Sequence, residues 1–227
     1  MKTKVACWAA AIAAVAAVSL SAPRAAHAFE VDEQLWGAVV LQAPVAGKLR
    51  LYAEAQGRRL PHDDTRMMLR PALNYGLGSG FTAWAGYAWT PQLTPVFKDE
   101  HRAWQQLTHQ ADVREVTLVH RLRLEQRFIE TLDGPSWRVR FMPRFVYRPK
   151  AWHGFGVVVW DEIMFHLASP DRGPKPGLDQ NRFAVGFQYA VSKKLIFEPT
   201  YVANAFYRPN RDGRLMHTAL LVVWVNL

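Results

Sequence analysis

From Glu115 to Phe128 the chain alternates. The odd positions read Glu115, Thr117, Val119, Arg121, Arg123, Glu125 and Arg127, and the even ones Val116, Leu118, His120, Leu122, Leu124, Gln126 and Phe128. A period of two puts each set on its own face of a β-strand, whereas 3.6 residues per turn would scatter the arginines around a helix. The pattern returns from Trp137 to Arg148, where Trp137, Val139, Phe141, Pro143, Phe145 and Tyr147 alternate with Arg138, Arg140, Met142, Arg144, Val146 and Arg148. Similar segments are expected to be strands at Leu35 to Ala43, Lys48 to Arg58, Arg66 to Leu77, Phe81 to Thr90, His101 to His109, Phe155 to His166, Asn181 to Val191, Lys194 to Phe206 and Leu215 to Leu227. That makes eleven candidates in all.

Short connections such as Pro44 to Gly47, Gly78 to Gly80 and Ser192-Lys193 alternate with long polar ones, of which Pro91 to Glu100 and Ala168 to Gln180 are the clearest. This is the rhythm of an up-and-down meander with turns at one end and loops at the other. The candidate strands are longer than the ~5 to 6 residues usual in soluble sheets, and match the ~9 to 11 that a tilted strand needs to cross a bilayer. Tyr75, Tyr87, Trp89, Tyr147, Tyr189, Tyr201 and Phe206 gather near strand ends in the manner of an interfacial girdle. Ala219, Leu221, Val223, Val225 and Leu227 form an apolar face that runs to the last residue, similar to the assembly signal of outer-membrane barrels, with Leu where Phe is usual. The predicted fold class is therefore all-β, an antiparallel up-and-down transmembrane β-barrel of 10 to 12 strands.

Two features strain this picture. Bacterial single-chain barrels have even strand counts, so either Leu35 to Ala43 lies in the lumen of a ten-stranded barrel or a twelfth strand exists. Pro71, Pro143 and Pro199 fall inside strands, where each removes a ladder hydrogen bond, and β-bulges are the expected accommodation.

Composition changes the picture mainly at the amino end. Half of the 227 residues are apolar and the charge is +9 with one cysteine, Cys7. Met1 to Ala28 reads as a cleaved signal peptide: two early lysines, an uncharged run from Val5 to Ala22, and Ala26-His27-Ala28 as the small-x-small site. Its loss removes Lys2, Lys4, Arg24 and Cys7, lowering the surplus to about +6 and leaving residues 29–227 as the barrel domain of an exported protein without disulfides.

At Arg121-Leu122-Arg123-Leu124-Glu125-Gln126-Arg127-Phe128 the chain resembles a known bacterial family, the domain of unknown function 2490. The resemblance extends over essentially the whole mature chain through Arg70 to Tyr75, Glu100 to Gln106, Asp161 to Phe165 and Asp179 to Arg182. It implies an outer-membrane β-barrel and supplies no chemistry. Ala103 and Leu227 depart from the bulkier apolar residue and the Phe that the resemblance leads one to expect.

With the apolar face toward lipid, the charged face turns inward. Arg121, Arg123 and Arg127 then flank Glu125, with Arg138, Arg140 and Arg144 beside them on the next strand. Arg66, Arg70, Arg182, Glu54, Glu162 and Glu198 point inward by the same alternation. In a narrow barrel these groups are expected to meet as Arg-Glu pairs that fill the lumen, or to leave a cationic lining that binds or passes small anionic solutes. Replacing Arg123 or Arg127 should impair folding by stripping Glu125 of a partner. The rival reading, a barrel enzyme acting on lipid or lipopolysaccharide as hydrolase or acyltransferase, rests on His166 with Ser169 or His101 beside Glu100, and neither pair has a surrounding motif. No catalytic residue, metal site or cofactor is expected. Basic residues interleaved with apolar ones inside strands argue against nucleic acid. The expected partners are outer-membrane lipid, the barrel assembly machinery during biogenesis and a small anionic solute. The expected location is the bacterial outer membrane.

Overall fold

In the computed structural model of the protein, residues 29–207 and 213–227 are described. The expected signal peptide lies outside them. The strands are β1 (Phe29–Ala46), β2 (Leu49–Arg59), β3 (Thr65–Gly78), β4 (Phe81–Trp89), β5 (Gln92–Thr94), β6 (Glu100–Val113), β7 (Val116–Ile129), β8 (Pro135–Tyr147), β9 (Phe155–Ala168), β10 (Gly177–Ala190), β11 (Leu195–Phe206) and β12 (Gly213–Asn226). All belong to one sheet. The short β5 only hangs on the start of β3, through Thr65 opposite Thr94 and Arg66 opposite Gln92. The remaining strands close into an 11-strand barrel.

The odd count corrects the choice between ten and twelve. Leu35 to Ala43 does not lie in the lumen; it is the middle of β1, a full member of the wall. In a meander of eleven strands the first and last run the same way, so the closing pair must be parallel. β1 and β12 pair in parallel from Phe29 opposite Gly213 to Gln42 opposite Asn226. Every other pair is antiparallel. The reversals after β1, β3, β6, β8 and β10 share one rim with Leu227. Those after β2, β4, β7 and β9, longer on average, share the other with the start of β1. We call these the turn rim and the loop rim. At the turn rim, Ser79 and Gly80 both take positive φ, 50° and 81°, as a tight hairpin requires.

Alternation has the sense the sequence predicts. On β3, Met68, Arg70, Ala72 and Asn74 are buried while Leu69, Pro71, Leu73 and Tyr75 are exposed. Around the wall Leu35, Val39, Leu122, Phe183, Phe187 and Leu221 are each more than two-fifths exposed. Inside lie two apolar clusters. One joins Trp36, Ala38, Val40, Ala184, Val202, Leu220 and Val222; the other joins Ala72, Ala88 and Trp104.

The prolines are accommodated differently from expectation. No bulge occurs at Pro71, Pro143 or Pro199. Each keeps its partner on one side, Ala53, His120 and Leu221 respectively. On its other side the ladder skips the proline and one neighbour, then resumes in the same register, as from Leu69↔Trp89 to Ala72↔Gly86. The same happens between Phe141↔Ile163 and Arg144↔Trp160, and between Gly186↔Thr200 and Tyr189↔Phe197. A missing N–H thus costs a local gap, and the inside-outside alternation carries through it.

Candidate functional site

The interior side chains of β7, β8 and β9 converge on two carboxylates. Glu125 is 1% exposed and accepts from Arg138 Nη2 at 2.7 Å and Arg140 Nη1 at 2.6 Å, with Arg123 Nη1 farther off at 3.7 Å. Glu162 is 2% exposed and is held by Arg140, at 2.9 Å from Nε and 2.8 Å from Nη2, and by Arg121; Arg182 Nη1 stands 3.6 Å away. Arg140 therefore bridges both acids. Burying such charges is strongly unfavourable unless each is paired and its remaining hydrogen-bonding capacity used, and fork-shaped guanidiniums meet that condition well.

Three further carboxylates follow the same rule. Arg144 grips Glu198 with two bonds of 2.9 and 2.6 Å, reaching from β8 to β11. Arg70 Nη1 donates to Glu54 at 2.8 Å. Arg102 and Arg127 share Glu100 at 2.7 and 2.6 Å. This corrects one expected neighbour of Glu125: Arg127 belongs to Glu100, while Arg123 stays within ion-pair distance at 3.7 Å and donates both Nε and Nη2 to Gln106, at 2.8 and 2.6 Å. The strong partners of Glu125 are Arg138 and Arg140. Arg66 stands apart, half exposed at the loop rim beside Asp64.

The histidines offered for an enzyme have other partners. Ser169 Oγ meets Ser136 Oγ at 2.8 Å, while His166 Nε2 faces Asp179 Oδ2 at 3.2 Å. His101 contacts Asp99, 3.0 Å from Nε2, and the Tyr87 hydroxyl on the outer face. The Tyr-His contact recurs at Tyr201 and His217, also on the outer face.

A second interior region was not singled out by sequence. Trp36 on β1 is 4% exposed, and two guanidiniums lie against its ring, Arg58 at 4.3 Å and Arg182 at 5.2 Å from the centroid. Arg58 donates Nε to Gln56 at 2.7 Å and has no carboxylate within ion-pair distance among the described residues. Its signal was present in the sequence, since Tyr52, Glu54, Gln56 and Arg58 share one face of β2, but a single arginine at a strand end looks like a rim residue.

These features define a closed β-barrel with an apolar outer face and an ion-paired interior. The chain belongs to the family described as Protein of unknown function (DUF2490), which matches residues 33–214. It is similar to an uncharacterized protein of Methylorubrum extorquens strain AM1, 28% identical over 178 residues that cover 75% of this chain and 77% of the relative. No solved structure matches the chain.

Proposed function

We propose that the protein is an outer-membrane β-barrel with an arginine-rich lumen that its own side chains fill, so that it braces the membrane and binds small anions instead of passing them. The apolar outer belt supports the location. On a soluble protein such a continuous patch would far exceed the few hundred Å² usually tolerated. Aromatic residues stand outward toward both rims, Tyr75 and Tyr189 near the turns and Tyr87 near the loops, as lipid interfaces favour. No helix among the described residues is long and apolar enough to cross a membrane, so the crossing would be made by strands. Ala219, Leu221, Val223 and Val225 share the outer face of β12, with Leu227 directly after it, where assembly machinery could read them.

The observation that carries the closed reading is the pair Glu125 and Glu162, almost fully buried and held by arginines of neighbouring strands. An ion crossing there would have to break several charge-assisted bonds at once. The refolded protein should fractionate with outer membranes, migrate differently with and without heating, and give no stepwise current in planar bilayers. A steady open conductance would overturn the closed reading.

A further inference from the structure

The hydrogen-bonding capacity left over around Trp36 is nearly all of one kind. The Trp36 indole N–H donates to Gln34 Oε1 at 2.8 Å, which leaves the Gln34 amide nitrogen buried without a partner. Gln56 spends its carbonyl on Arg58 Nε, and Gln180 spends its carbonyl on Arg182 Nη2 while its amide donates to Asp179 at 3.3 Å. Asn204 Oδ1 lies 3.4 Å from Arg182 Nε, and its amide nitrogen is also unpartnered in a residue that is 0% exposed. Thr218, 1% exposed, has an unpartnered hydroxyl.

These groups are neighbours. Arg182 pairs across to Asn204, Thr218 pairs across to Gln34, and Trp36 pairs across to Arg58. Asn204 and Thr218 are diagonal neighbours across β11 and β12, opposite Met216 and Val202 respectively. Charge agrees with the donors. The charges acting most strongly on Arg58 are Arg182, Arg102 and Arg70, all repulsive, with Glu54 a weaker attraction. The nearest carboxylate to Arg182 is Glu162, already claimed by Arg121 and Arg140. Of the other acids in this quarter, Asp32 is held by Arg214 at 2.6 Å, Glu30 lies 3.9 Å from the same guanidinium, and Asp179 is held by Arg138 at 3.1 Å.

A cluster of spare donors beside two guanidiniums, one of them without a carboxylate, calls for an acceptor with several oxygens and negative charge. The geometry points to an oxyanion site over Trp36, formed by Arg58, Arg182, Gln34 and Asn204, that takes a phosphate group. This rests on the anion-binding reading above and gives it a place. β2 stops at Arg59 opposite Leu35, so the stretch of β1 before Leu35 has no neighbour on that edge, and an open notch lined by Asp32, Glu33, Gln34, Leu35, Arg59 and Leu60 lies there on the wall. The phosphate could thus belong to a free solute or to a lipid headgroup beside the barrel.

The test is calorimetric titration of the refolded protein in detergent micelles with two probes, inorganic phosphate and a short-chain phosphatidic acid. Saturable binding of either is expected, weakened at least tenfold in Arg58→Met and unchanged in the control Arg114→Gln, which removes the same charge in the β6–β7 turn at the opposite rim. Binding of phosphate assigns the site to a free solute; binding of phosphatidic acid alone assigns it to a headgroup entering through the notch. Gln34→Glu supplies an internal competitor. Its carboxylate can still accept from Trp36 while its second oxygen meets the guanidiniums, so the variant should abolish binding and raise the temperature of the heat-dependent mobility shift. Absence of binding by both probes, equal binding by Arg58→Met, or a lowered transition in Gln34→Glu would overturn the site. A barrel that is silent in bilayers yet binds neither probe would sink this inference alone, whereas an open conductance would sink the closed-barrel reading and leave the titration result standing.

Discussion

Two arginines in this barrel lie over tryptophan rings at the same distance, 4.3 Å from the centroid: Arg123 over Trp104 and Arg58 over Trp36. Their surroundings differ. Arg123 is 3% exposed, spends two donors on Gln106 and faces Glu125. Arg58 is partly exposed, makes one bond to Gln56, and has other arginines as its strongest charged neighbours. The same cation-on-ring contact, worth roughly 0.5 to 2 kcal/mol, is thus embedded once in a neutralised network and once in a region with surplus positive charge. The contact alone does not decide whether a buried arginine is structural; the supply of carboxylates around it does.

The comparison breaks most severely at Glu125. Replacing it by Ala would leave Arg138 and Arg140 buried with one partner fewer each, and removal of one side of a buried ion pair costs about 3 to 5 kcal/mol. Urea titration of the protein folded into lipid vesicles, followed by tryptophan fluorescence, should show a midpoint shift of that order. An unchanged midpoint would mean that the acid does not hold the arginines together.

A second break is geometric. Gly86 pairs across to Trp104. A Cβ at Gly86 would fall inside the indole's van der Waals envelope and 2.7 Å from the Ala72 Cβ. The glycine is what allows Trp104 to lie flat on the wall beneath Arg123. Trp36 has no such requirement, since its cross-strand neighbour is Arg58 itself. Gly86→Ala should cost about 1 to 3 kcal/mol through overpacking. In the same urea titration, Gly37→Ala on the outer face, where nothing lies within 4 Å of an added Cβ, serves as the control and should shift the midpoint far less.

Much of this architecture was legible in alternation. The strand cores of β7 and β8 follow it residue by residue, and the phase that puts Leu122 and Phe145 outside puts Arg121 and Arg144 inside. Less legible was what depends on closure. The amino-terminal part of β1 carries Glu30, Asp32 and Glu33, which look like a loop, so the strand appeared shorter and its parallel partner could not be inferred. Pairings across the barrel, such as Arg144 with Glu198, depend on strand stagger, a global property that no local pattern encodes. Arg127 shows the limit well. It shares a face and a strand with Glu125, yet its closer partner is Glu100, which comes within reach only because β6 pairs with β7 in the register Arg102↔Arg127. The prolines were legible as interruptions and misread in kind, since a skipped pair and a bulge both leave an unpaired position in the sequence pattern.

The smallest expected effect belongs to Arg58. Methionine in its place keeps a long, flexible side chain against Trp36 and deletes a charge that no carboxylate balances. Truncating an ion-paired residue strands its partner, but Arg58 leaves only the Gln56 carbonyl without a donor, and relief of repulsion from Arg182 and Arg102 works in the opposite direction. The net change in the urea midpoint should therefore stay within about 1 kcal/mol, an exchange of one hydrogen bond for one repulsion. If Arg58→Met instead falls as far as Glu125→Ala, the two tryptophan stacks are alike in kind, and the surplus charge over Trp36 is part of the scaffold. If it holds while phosphate binding falls, the scaffold and the site occupy different sides of the same interior.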